Sequence, residues 1–77
     1  MSVLDEIKSE REHQDEVWGG PEHDDRHPLY KWFSFIGKRF WQLGKGSLPQ
    51  TRRLFIEIAA LAVAAIESLD RKSNPWH

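Results

Sequence analysis

The chain has no cysteine, so no disulfide can staple it. It also lacks an apolar run of membrane length. The longest greasy stretch, residues 54–66, is interrupted by Glu57 and falls short of the roughly 20 residues that a hydrocarbon core requires. The opening Met1-Ser2-Val3-Leu4-Asp5-Glu6 shows neither the basic nor the apolar part of a secretory leader. No segment alternates at period two for long enough to argue for a sheet. These absences point to a helical protein of the cytoplasm. With 77 residues there is room for one domain. A core of that size contributes roughly a few kcal/mol beyond the cost of ordering the chain. With disulfides excluded, association with another chain is the expected reinforcement.

Acidic residues are missing from the middle of the chain and basic ones are scarce before it. Residues 1–25 carry nine acids against Lys8 and Arg11, whereas residues 26–56 carry seven bases and no acid, for a net charge of −1 overall. Such a split has two readings. The acidic segment can lie against the basic one and neutralise it, or the basic one can attract an anionic ligand.

Three helices are expected, over residues 3–17, 29–43 and 48–72, separated by loops at 19–28 and 44–47. Ser2 followed three residues later by Asp5 reads as a capping box for the first. Its seam, Leu4, Ile7, Arg11, Gln14 and Trp18, is apolar at both ends and polar in the middle, where Arg11 and Gln14 either line a polar pocket, or Arg11 lies along the core edge while Gln14 bonds a loop carbonyl. Gly19-Gly20-Pro21 stops it. Pro28 suits the first turn of the second helix, with Asp25 or His27 near its N-terminus. That helix is strongly aromatic. Phe35, flanked by Lys31, Lys38 and Arg39, has no evident intramolecular home and is the expected partner contact.

Ser47-Leu48-Pro49-Gln50 opens the third helix. Its expected main face is Leu54, Phe55, Ile58, Leu61, Ala62, Ala65, Ile66 and Leu69, with a second strip of Ile56, Ala60 and Val63. Three short helices have difficulty covering both faces. The expected architecture is therefore an all-α, three-helix arrangement completed by oligomerisation, as a homodimer or a larger assembly.

Three residue sets could carry chemistry. The first is His23, Asp24, Asp25 and His27, types that suit a divalent metal, although the same loop can serve to cap the second helix. The second comprises Glu6 and Glu10 on helix one with Glu67 and Asp70 on helix three. Carboxylates spaced three or four residues apart share a helical face and can converge on Mg²⁺, and Glu67 has an alternative partner in Arg71. The third is Arg52 and Arg53 beside the aromatic middle, a combination that holds phosphates and stacks on bases. Nucleic acid is set aside because most of these aromatics fall on the expected core face. There is no nucleophile–base–acid set and no phosphate-binding glycine loop: Gly44-Lys45-Gly46-Ser47 is too short.

Two stretches resemble small uncharacterised proteins of phages and prophages. One is Glu10-Arg11-x-x-Gln14 running into Trp18-Gly19-Gly20-Pro21-Glu22-His23-Asp24-Asp25-x-His27, and the other extends from Arg52-Arg53-Leu54 through the alanine-rich segment to Asp70-Arg71. Together they cover about half of the chain. The resemblance implies a phage-type accessory protein of the host-cell cytoplasm and carries no activity with it, counteraction of host defence being one role open to such a protein; it places Arg11, Gln14, Glu22, His23, Asp24 and Asp25 in a shared polar site or a fold-holding network. Glu67-x-x-Asp70 is similar to the second acidic element of MazG-like all-α nucleotide pyrophosphohydrolases, but the paired glutamates of their first element have no counterpart here.

The leading expectation is a non-enzymatic homo-oligomeric binder of a nucleotide-like anion or a host protein surface. Its ligand site would use Arg11, Gln14, His23, Asp24, Arg52 and Arg53, without membrane or cofactor. The alternatives are the Mg²⁺-dependent hydrolase built on Glu6, Glu10, Glu67 and Asp70, and a structural interaction module with no small ligand.

Overall fold

The computed structural model describes residues 2–20 and 25–73. It is all-α, with α1 (Val3–Trp18), α2 (Leu29–Gln42) and α3 (Leu48–Ser73), and no strand among the described residues. Local chemistry sets the ends. The Ser2 hydroxyl accepts the Asp5 N–H at 3.1 Å while the Asp5 carboxylate accepts the Ser2 N–H at 3.4 Å, which satisfies two of the donors a helix start leaves open. Gly19 closes α1 at φ 104°, a conformation that favours glycine. At α3 the same device recurs: Gln50 N–H donates to Ser47 Oγ at 3.3 Å and Ser47 N–H to Gln50 Oε1 at 2.9 Å.

The start of α2 differs from expectation. Pro28 is its N-cap, and no side chain caps the helix, because Asp25 and His27 are engaged with the end of α3. Asp25 accepts from Arg71 and Ser68, and the His27 carbonyl accepts from Lys72 Nζ at 2.8 Å.

Both α1 and α2 pack on α3. α1 runs parallel to it, since Glu6 meets Arg52 and Glu10 meets Arg53. α2 runs antiparallel, with His27 beside Lys72 at one end and Arg39 beside Glu57 at the other. The core is small: Trp32, Leu61 and Ala64 are buried, with Trp18, Phe35, Ile36 and Ala65 packed around them.

The buried line of α3 is Ile56, Ala60, Leu61, Ala64 and Ser68, which corrects the expected phase of the helix. Ile56 and Ala60, from the second strip, are covered within the chain. Phe55, Ile66 and Leu69, from the expected main face, are 55%, 58% and 43% exposed. The physical reason is charge. Arg53, Glu57 and Arg71 project on the same side of α3 as Ala60 and Ala64 at 100° per residue, and their partners lie on α1, on α2 and at Asp25. Leu4, expected in the α1 seam, is exposed as well, while Glu10 and Gln14 are the buried residues of that helix.

Candidate functional site

The polar turn of α1 sits against the polar side of α3. Glu10 and Gln14, one turn apart, are both nine-tenths or more buried. Gln14 Nε2 donates to Glu10 Oε2 at 3.1 Å, and the other Glu10 oxygen is held by Arg53. Arg53 reaches on to Glu57 at 3.3 Å, and Arg39 of α2 donates to the opposite Glu57 oxygen at 3.0 Å. The Arg39 guanidinium lies over the Trp18 ring at 5.7 Å, a cation–π geometry. The result is a continuous relay from Gln14 through Glu10, Arg53, Glu57 and Arg39 to Trp18. It lines a cleft of about 160 Å³, and Gln14 Oε1 is buried beside it with no hydrogen-bond partner among the described residues. The simple expectation that Gln14 bonds a loop carbonyl is replaced by its bond to Glu10.

Arg52 grips Glu6 through two hydrogen bonds of 2.9 and 2.5 Å. The hydrogen bond from Arg52 holds the Glu6 carboxyl below its ordinary value, and the same contact raises the Arg52 guanidinium. Arg11, largely buried, bridges Asp15 at 3.0 Å and Glu67 at 2.8 Å. Glu67 therefore pairs across to α1 and not with Arg71, which binds Asp25 through bonds of 2.7 to 3.0 Å. Hydrogen bonding by Arg71, with the Ser68 hydroxyl assisting, lowers the Asp25 carboxyl.

These pairings rearrange the expected sites. Arg11, Arg52, Arg53 and Gln14 do line one side of the α1–α3 junction, but each of these guanidiniums already holds a carboxylate. An anion there has to displace an intramolecular partner. Glu6, Glu10 and Glu67 face three different arginines, and Asp70 lies exposed near the helix end. Among the described residues no three histidine, aspartate or glutamate side chains gather closely enough to hold a metal ion. Of the loop quartet, His23 and Asp24 lie outside the described residues. Asp25 is bound by Arg71, and the His27 ring packs edge-on against Trp32 and Phe35 at 5.3 and 5.1 Å.

Phe35 is also corrected. It stacks on Trp18 at 5.9 Å and meets Trp32 edge-on at 6.2 Å, so it has an intramolecular home. The bare aromatics of α2 are instead Tyr30, Phe33, Phe40 and Trp41, which are 65–74% exposed. They surround Gly37, over which a methyl group would meet nothing within 4 Å. Lys45 lies 4.5 Å from the Trp41 ring.

Arg39 and Glu57 escaped the sequence reading as site residues, although Arg53-x-x-x-Glu57 carried the spacing of a helix-face pair. Among the described residues no helix is long and apolar enough to cross a membrane. No protein-family model, curated protein or solved structure matches the chain.

Proposed function

We propose that this chain is a non-enzymatic binding module that recognises a protein surface and works as a homo-oligomer. The observation that carries this reading is the open aromatic face of α2, with Tyr30, Phe33, Phe40 and Trp41 turned outward around Gly37. Aromatic rings contribute large contact area at small entropic cost and dominate the energetic centres of protein interfaces. A glycine among them lets a partner's backbone approach closely.

The anionic-ligand alternative has weaker support. The arginines that would hold a phosphate are already neutralised by carboxylates of the same chain. The carboxylates of the hydrolase alternative are dispersed among separate arginines.

The test places a photo-crosslinking amino acid at Phe33, at Trp41 and, as a control, at the exposed Glu16 of α1, in cells that express the chain. The reading predicts a discrete protein adduct from the two α2 positions and none from the control. It is overturned by a melting temperature that rises with a nucleotide, by Mg²⁺-dependent nucleotide hydrolysis lost in Glu67→Gln, or by binding to anionic vesicles without any protein adduct.

A further inference from the structure

The solvent side of α3 carries a regular seam. Leu48, Phe55, Ala62 and Leu69 recur every seven residues, with Arg52, Ala59 and Ile66 interleaved four residues after the first three. This three–four spacing is the pattern of a helix that packs along another helix. Phe55, Ile66 and Leu69 are exposed, and Leu48 is 85% exposed. Among the described residues the large side chains of this stripe stay exposed, while Ala59 and Ala62 between them are half-buried and Arg52 pairs with Glu6 of α1.

We infer that the stripe is the self-docking surface of the protein, with α3 lying antiparallel on α3 of a second copy and the two-fold axis between Ala59 and Ala62. The inference rests on the reading of the chain as a homo-oligomer and adds the surface, the direction and the register. Two observations favour a second copy as the occupant. The first is the order of sizes, which is palindromic: large Phe55, small Ala59, small Ala62, large Ile66. In the antiparallel register Ala59 meets the partner's Ala62 and Phe55 meets the partner's Ile66. The helices touch at the alanines, and the large side chains fill the gap as the axes diverge.

The second is charge. A parallel pairing stacks Arg52 on the partner's Arg52 across the seam, a like-charge contact that coiled helices avoid. The antiparallel one sets Arg52 beside the partner's Leu69, level with the partner's Asp70, and opposes the helix dipoles. The Arg52 stem can cover Leu69 while its head remains at Glu6.

The absence of native cysteine makes the register directly readable. Ala59→Cys and Ala62→Cys proteins, one of them ¹⁵N-labelled, are mixed, oxidised and weighed by mass spectrometry, with sedimentation velocity run on the same samples. Phe55→Cys mixed with Ile66→Cys gives a second, independent pair. The expected result is a dimer in which hetero-linked chains exceed their random share for both mixtures. A dimer in which Ala62→Cys links mainly to itself, or in which neither mixture links, overturns the seam and its direction while leaving self-association intact. A monomer at high concentration overturns both this inference and the homo-oligomeric reading beneath it.

Discussion

The same helix, α3, is held by two interfaces of opposite character. Against α1 it uses charge: Arg52 with Glu6, Arg53 with the buried Glu10, and Glu67 with Arg11. Against α2 it uses mainly packing, with Trp32, Phe35 and Ile36 set on Leu61, Ala64 and Ala65 beside the Arg39–Glu57 pair. The apolar interface stabilises by removing surface from water, a term proportional to area and indifferent to pH. The charged interface gives modest net stability, because desolvation offsets most of the attraction. What it supplies is phase. It decides which side of an otherwise ambiguous alanine-rich helix turns inward, and so which side remains bare.

The largest expected effect belongs to the apolar interface. Leu61, 1% exposed, is central to the core, and Leu61→Ala should cost about 3 kcal/mol, measured as a shift of the urea midpoint. In a domain of this size that is a large share of the total. A loss under 1 kcal/mol would show that the core lies elsewhere.

Next comes the charged interface. Glu10→Ala strands Gln14 and removes the buried end of the Arg53 pair. Breaking a fully buried pair costs several kcal/mol, but Arg53 is half exposed, so about 2 kcal/mol is expected. The loss should appear as faster amide exchange in α1, with α2 unchanged.

A third effect is pH dependence. Glu6 and Asp25 have folded-state carboxyls held below the ordinary value by Arg52 and Arg71. Each therefore contributes stability that is present above the unfolded value near 4 and is lost as pH falls through the lower folded one. The melting temperature should decline from about pH 5 downward, and Asp25→Asn should flatten that decline. An unchanged acid slope in Asp25→Asn would remove the Arg71 latch from the account.

The smallest effect on the monomer is expected at the open face of α2. Phe33→Ser should change chain stability by no more than about 0.5 kcal/mol, while abolishing the crosslinked protein adduct. A large destabilisation would place Phe33 in the core and weaken the binding reading.

Much of this was legible in the sequence, and the failures are instructive. The helix ends were readable because Ser2 with Asp5 and Ser47 with Gln50 are local devices. Their partners lie three residues away, and no tertiary information is needed. The polar centre of α1 was also visible at Arg11 and Gln14. The inward side of α3 was not. Leucine, isoleucine and alanine surround that helix, so periodicity alone assigned Phe55 and Ile66 to the core. The deciding contacts join residues more than forty positions apart, Arg53 to Glu10 and Arg71 to Asp25. Phe35 failed for a related reason: Trp18 and His27, which cover it, arrive from the end of α1 and the approach to α2. A helical wheel of α2 contains neither.

The central claim is that charge pairing with α1 turns Phe55, Ile66 and Leu69 outward, where a second copy covers them. Sedimentation equilibrium of the native chain beside Ile66→Glu tests it most directly. The account predicts a species of twice 9.1 kDa for the native chain and a folded monomer for the variant. A native chain that remains monomeric at the highest attainable concentration, with unchanged helicity, would contradict it.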